Sequence, residues 1–232
     1  MLGSLKRLMA RTNQCYCCLQ SATTAICSLC AEQIKHFPAS EHSFFLNNQR
    51  FFTQHLQTLS PYNTLSIGPH AGLLQSLIND FKYKKKTLLR NSLAKLLEEK
   101  VLACYSEDEL PQILLPVPIS PLKRMRRGYN QTELICSQLT RRLSLETSNY
   151  LISREIFHTP QASLSGSERR KLAASRFRIE QPGLLENTSH IALFDDVITT
   201  GTTLLCIVEQ IKKVNPDLRI DLWSLSISLQ HQ

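Results

Sequence analysis

Residues Ile191 to Thr203 read I-A-L-F-D-D-V-I-T-T-G-T-T, and this stretch decides the fold. Four apolar residues bounded by polar sequence suit a strand buried in a parallel sheet. Asp195 and Asp196 follow where that strand is expected to end. A Thr/Gly run then leads into Leu204, Leu205, Ile207, Val208, Ile211 and Val214, spaced as one face of a helix. The predicted order is strand, acidic pair, hydroxyl-bearing loop, helix. Such a loop offers backbone N–H groups and hydroxyls at a helix N-terminus, which attract a phosphate. Two carboxylates would repel that anion on contact, so they are expected to accept hydrogen bonds from sugar hydroxyls beside it, or to help hold Mg²⁺. A phosphorylated ribose satisfies both halves.

The segment resembles the phosphoribosyl-diphosphate (PRPP) binding motif of type I phosphoribosyltransferases, and all thirteen positions fit. The resemblance implies that Asp195 and Asp196 bind the ribose 2′- and 3′-hydroxyls. It implies too that Thr199, Thr200, Gly201, Thr202 and Thr203 cradle the 5′-phosphate.

The rest of the chain supplies context. Its 232 residues allow one large α/β domain, or one of about 150 to 170 residues with a small appendage. Apolar content of 42% with 20% charged residues describes a chain with a proper core rather than a disordered one. No apolar run approaches the ~20 residues needed to cross a bilayer. The basic start M-L-G-S-L-K-R-L-M-A-R lacks the apolar centre of a signal peptide, so a cytoplasmic location is expected. The formal charge is +8, and the cations cluster: Lys82 and Lys84 to Lys86 with Arg90; Lys123, Arg124, Arg126 and Arg127; Arg169 to Lys171 with Arg176 and Arg178. Three such clusters beside a phosphate motif favour an anionic ligand, nucleic acid among the candidates.

Five of the eight cysteines lie in C-Y-C-C-L-Q-S-A-T-T-A-I-C-S-L-C, where Cys15/Cys18 and Cys27/Cys30 form two C-x-x-C pairs and Cys17 is a spare. Two such pairs supply four thiolates from two tight turns, the donor set of tetrahedral Zn²⁺. In a reducing compartment zinc is expected over disulfides. With no His or carboxylate nearby to replace a thiolate, the site is expected to be closed and structural, a knuckle too small for its own core. The division predicted is a zinc-binding module and connecting segment over 1–60, then the α/β domain over 61–232. The phenylalanines between 31 and 60 are expected to be core more than a base-stacking surface.

Further strands are predicted near Tyr62–Ile67, Ile113–Val117 and Ile220–Leu225. Helical spacing recurs over 73–81, 88–101 and 134–139. Strands alternating with helices indicate a mostly parallel sheet. Pro116-Val117-Pro118 ends one strand and feeds S-P-L-K-R-M-R-R-G-Y-N-Q, read as a cationic loop suited to diphosphate.

The order of C-x-x-C pairs, Phe81-Lys82-Tyr83, Pro-Val-Pro, Arg126-Arg127-Gly128-Tyr129-Asn130-Gln131 and the Asp-Asp-Val loop is similar to the ComF/GntX family of competence-associated, phosphoribosyltransferase-like proteins. The resemblance covers nearly the whole chain. It implies that Arg127, Gly128, Asn130 and Gln131 belong to a ligand-facing loop. Arg154, Gln161, Leu164 and Arg169 are similar to the family's mobile segment over the site, with Leu172 standing where the family usually has Asn. Ser165-x-x-Glu168 also reads as a helix capping box.

Three functions follow from the resemblance. As a phosphoribosyltransferase, the chain would displace diphosphate from C1 of PRPP for an unidentified acceptor, with Lys82, Lys123 and Arg127 on the diphosphate and Mg²⁺ bridging oxygens. As a binding protein of natural transformation, it would handle incoming single-stranded DNA beside other competence or helicase proteins. As a regulator, it would sense PRPP or a nucleotide.

Overall fold

The computed structural model describes residues 13–34, 36–37, 45–155 and 175–228. The strands are β1 (Thr64–Pro69), β2 (Ile113–Pro116), β3 (Ile152–Arg154), β4 (Phe177–Ile179), β5 (His190–Ile198) and β6 (Arg219–Ile227). Strands β1, β6, β5 and β2 stand side by side in that order, every neighbouring pair parallel; β3 and β4 form a separate antiparallel pair. The helices are α1 (Ser28–Glu32), α2 (Arg50–His55), α3 (Gly72–Tyr83), α4 (Arg90–Cys104), α5 (Pro121–Arg127), α6 (Gln131–Leu143), α7 (Pro182–Glu186) and α8 (Thr202–Val214). This is the mostly parallel, helix-flanked α/β sheet that the strand–helix alternation predicts. No described helix is long and apolar enough to cross a membrane.

Alternation along each strand divides the core in two. Leu114, Ala192, Phe194, Trp223 and Leu225 pack with Leu77, Phe81, Leu93, Leu97 and Ile135 of α3, α4 and α6. Leu115, Ile191, Leu193, Ile220 and Leu222 face the other way, onto Leu204, Ile207 and Ile211 of α8 and onto Phe52, Leu56 and Leu59. Burying both faces explains why these strands read as continuous apolar runs. Leu46, Phe52, Leu56 and Leu59 are therefore core on the α8 side, with Phe52 fully buried and Phe37 stacked on Phe51 at 5.0 Å.

Toward the amino ends of the strands a polar network is sealed into the first core layer. Asp221 accepts from the Tyr105 hydroxyl at 2.7 Å and from Arg219 Nη2 at 3.2 Å, and its Oδ2 lies 2.8 Å from His190 Nε2. Trp223 Nε1 donates to Tyr105 Oη at 3.0 Å. Trp223 is thus the polar anchor of the sheet's centre as well as its largest buried side chain.

Two segments differ from the sequence expectation. β5 does not end at Phe194 but runs through both acids to Ile198, because β6 continues beside it and pairs Asp195 with Ser224 and Val197 with Ser226. The span after Pro118 is not an open loop: Pro121–Arg127 is helical. Ser120 Oγ accepts from Lys123 N–H at 3.3 Å, Pro121 occupies the first turn, and Gly128 at φ 84° closes the helix. These are ordinary start and stop residues, hidden in the sequence by the density of cations between them.

Candidate functional site

The site lies at the carboxyl ends of the parallel strands, where open α/β sheets bind ligands. β5 delivers the acids, and residues Thr199–Gly201 turn the chain into α8. Gly201 adopts φ 73°, a left-handed conformation that side chains resist, and it starts α8 without a side-chain cap. Thr202 N–H donates to Thr200 Oγ1 at 3.4 Å, and the helix N-terminus otherwise carries no side-chain cap, leaving its positive end toward the turn. Thr200 Oγ1 and Thr202 Oγ1 lie 2.9 Å apart over this turn. Asp195 and Thr199 through Thr203 line one small concave pocket, with Thr199, Thr200 and Thr202 exposed at its mouth.

Leu59 lies directly beneath Gly201: a Cβ added there would meet the Leu59 side chain at 2.6 Å. Gly201→Ala is accordingly expected to cost about 2 to 4 kcal/mol, from left-handed strain plus overpacking. Urea titration checks it, and Leu59→Ala in the same chain should recover the overpacking share. Unchanged stability in the single variant would refute this loop geometry.

Successive strand residues point to opposite faces, and the two acids have different company. Asp196, on the α3 side, pairs with Lys82 Nζ at 2.8 Å, both side chains nearly covered at 12% and 11% exposure. Asp195 accepts from the Asp196 backbone N–H at 2.8 Å. Asp195 is half-buried; desolvation first, then repulsion from the adjacent Asp196 carboxylate, push its pKa up to about 7 against the pull of Lys82. On that side stands Arg154 of β3, half-buried over the Phe177 ring at 5.3 Å. Burial first, then neighbouring Arg176, lowers the Arg154 pKa, and the Asp195 charge opposes them.

The Phe81-Lys82-Tyr83 and Arg126–Gln131 motifs prove to be one structural unit. The Tyr129 hydroxyl donates to the Phe81 carbonyl. Arg127 lies over the Tyr83 ring at 5.1 Å and donates to Gln131 Oε1 at 2.8 Å. Asn130 and Gln131 are buried rather than ligand-facing. Asn130 caps α6 through Thr132 N–H at 3.3 Å and donates to the Val117 carbonyl at 3.3 Å, fixing the loop to the end of β2. Lys123 and Gly128 are exposed, while Gln161 and Arg169 lie outside the described residues.

Sequence reasoning missed His70, which follows β1 directly. Its backbone N–H donates to the Ile227 carbonyl at 2.7 Å, and its Nδ1 lies 2.8 Å from Ser226 Oγ. Burial, then the Lys82 charge, lowers its pKa, with Asp196 opposing, so the ring is held neutral. The signal available was position alone: His70 sits at the carboxyl end of a strand, as the acids do.

At the other end of the chain, the Sγ atoms of Cys15, Cys18, Cys27 and Cys30 all lie within 4.8 Å of one another. Cys18 and Cys27 Sγ are 3.8 Å apart, the spacing of about 3.8 Å that tetrahedral Zn²⁺ with bonds of about 2.3 Å demands. Backbone N–H groups of Cys17 and Cys27 point at Cys15 Sγ at 3.4 and 3.3 Å, an arrangement that stabilises a thiolate. The cluster can hold zinc as a knuckle. It docks on the α3/α4 face, where the Tyr16 hydroxyl donates to Asp80 at 2.7 Å and Ile26 N–H to Ser92 Oγ at 3.2 Å.

Fold and site together define an α/β protein with a parallel sheet, an acidic strand end feeding a Thr/Gly turn at a helix N-terminus, and a four-cysteine knuckle. No family model matches the chain. It is 31% identical to "Competence protein F" of Haemophilus influenzae over 90% of this chain and 93% of that protein. It is 29% identical to "DNA utilization protein YhgH" of Escherichia coli O157:H7 over 75% of this chain and 76% of that one. To "Competence protein ComFC" of Bacillus subtilis it is 24% identical over 82% and 74%. The chain belongs to the competence protein F family.

Proposed function

We propose that this chain binds PRPP, or a related phosphoribosyl ligand, with Mg²⁺, and does so as a protein of natural transformation that handles incoming single-stranded DNA. One observation carries the ligand: a helix N-terminus with a hydroxyl-rich turn stands beside two carboxylates at the end of a central strand. Thr199 through Thr203 take the 5′-phosphate, and Asp195 and Asp196 take the ribose hydroxyls. Lys82 swings from Asp196 to the diphosphate, and Lys123, Arg127 and Gly128 border it. Adjacent carboxylates are hard oxygen donors that suit Mg²⁺, and Asp195 and Asp196 would hold it. Bound there, the ion would neutralise diphosphate charge. Names of relatives, competence and DNA utilization, together with the net charge of +8, support the DNA role.

Calorimetry tests the ligand. With Mg²⁺ present, PRPP should bind the full chain saturably, and Asp195→Asn/Asp196→Asn should weaken binding at least ~100-fold, the loss expected from several charge-assisted contacts. Equal affinity in the double variant, with unchanged circular dichroism, would sink the assignment.

His70 favours a second reading, phosphoribosyl transfer. An acceptor's lone pair would form the bond to C1 as the C1–O bond to diphosphate breaks, diphosphate leaving with the electron pair. The acceptor's proton would pass to neutral His70 Nε2. Diphosphate release from PRPP with a panel of bases separates this reading from binding alone.

A further inference from the structure

α5 contributes nothing to the core: none of its seven residues is buried. Packing therefore does not explain why Pro121–Arg127 carries Leu122 and Met125, which are 68% and 77% exposed and lie one helical turn apart. Tyr83, at the end of α3, is 63% exposed. Isolated surface apolar groups are common, but these three stand on adjoining elements. Arg127 over the Tyr83 ring and Tyr129 on the Phe81 carbonyl tie α5 to α3. Cations surround them: Lys84, Lys85, Lys123 and Arg126 are exposed, and Lys85, Lys123 and Arg126 form no ion pair among the described residues.

We infer that single-stranded DNA docks here by wrapping α5, with a base stacked on the free face of Tyr83, a second against Met125 and Leu122 on the side of the helix turned away from Arg127, and phosphates on Arg126 between them and on Lys85. The inference rests on the DNA-handling reading and assigns a surface to it. Large exposed aromatic and apolar side chains ringed by unpaired cations are the chemistry of sequence-tolerant strand binding, where stacking holds bases and the cations track the backbone. Arg127 holds one face of the Tyr83 ring, so the ring is presented rigidly and loses little freedom on binding. The apolar part of the surface, Leu122 and Met125, lies outside the residues assigned to the phosphoribosyl ligand, whereas Lys123 and Arg127 are shared with it.

Fluorescence anisotropy of the full chain with labelled oligothymidylate of about 30 nucleotides tests it. Tyr83→Ser and Met125→Ser are each expected to weaken binding roughly tenfold, whereas Tyr83→Phe, which keeps the ring, binds as the wild type does. Arg126→Ala should lower the slope of log affinity against log salt by about 0.7. Titrating PRPP into Met125→Ser should give wild-type affinity, since Met125 is 77% exposed and takes no part in the phosphoribosyl site. If the wild type binds the oligonucleotide and Tyr83→Ser binds it equally, the surface is wrong while DNA handling stands. If the wild type binds no oligonucleotide at low salt, both fall. Loss of self-association in Tyr83→Ser with unchanged DNA affinity, seen by sedimentation, would make this a protein interface and overturn the inference.

Discussion

Removal of zinc by a strong chelator is expected to lower the stability of the full chain by roughly 3 to 6 kcal/mol. The four thiol ligands lie within a span of sixteen residues, Cys15 to Cys30, that has no sheet of its own and one short helix, α1. Yet Cys15, Ile26, Cys30 and Ile34 are buried in the same core layer as Leu93 and Leu97 of α4. A metal that pinned both C-x-x-C turns would keep those side chains in place, because so small a unit cannot pack itself. Losing the burial of Ile26 and Ile34, at about 1.5 to 3 kcal/mol each, sets the size of the effect. Metal analysis should find about one zinc per chain, and Cys18→Ser/Cys27→Ser should reproduce the chelator's shift in the denaturation midpoint. Purified protein that contains no zinc, or a midpoint indifferent to chelation, would remove the claim.

Asp221→Ala should be among the most damaging single substitutions away from the ligand site, costing about 3 to 5 kcal/mol. Its carboxylate is 2% exposed and gathers Tyr105, His190 and Arg219. Truncation leaves the Tyr105 hydroxyl, already holding Trp223 Nε1, without its acceptor in the core. It also leaves the Arg219 charge without its counter-ion. Tyr105→Phe, which leaves the carboxylate its other partners but strips the buried Trp223 N–H of its acceptor, should cost about 1 to 3 kcal/mol. Urea titrations of the two variants compare them directly; similar costs for both would mean that the network is not centred on Asp221. Ligand binding should be untouched in the folded fraction, since Asp221 lies toward the amino ends of the strands and the site at their carboxyl ends.

Much of the architecture was legible because it is written in local pattern. Ile191 to Phe194 reads as a buried strand, and Leu204, Ile207, Val208 and Ile211 read as one helix face; β5 and α8 stand there. The C-x-x-C pairs announced their cluster by spacing, since thiols that close in sequence have few other ways to meet. The β3–β4 pair escaped because three residues are too few for a periodicity to show. α5 was not legible because a run of four cations in seven residues reads equally as an anion-binding loop, although Ser120, Pro121 and Gly128 start and stop a helix there.

The candidate site divides along the same line. Local chemistry marked Asp195, Asp196 and the Thr199–Thr203 turn, because an acidic strand end followed by a glycine-bearing hydroxyl loop is contiguous in the chain. What the chain order could not settle is which groups face which. Strand order β1-β6-β5-β2 brings His70 to Ser226, and α3 packed over the same sheet brings Lys82 to Asp196. β5 continues past its apolar run because β6 pairs with it there, and so the acids turn to opposite faces. Leu59 supports Gly201 from 142 positions away, and Tyr83 meets Arg127 across a separation of 44. Contacts of such separation depend on how elements stack, and stacking is decided by the whole buried surface at once, not by any short run of residues.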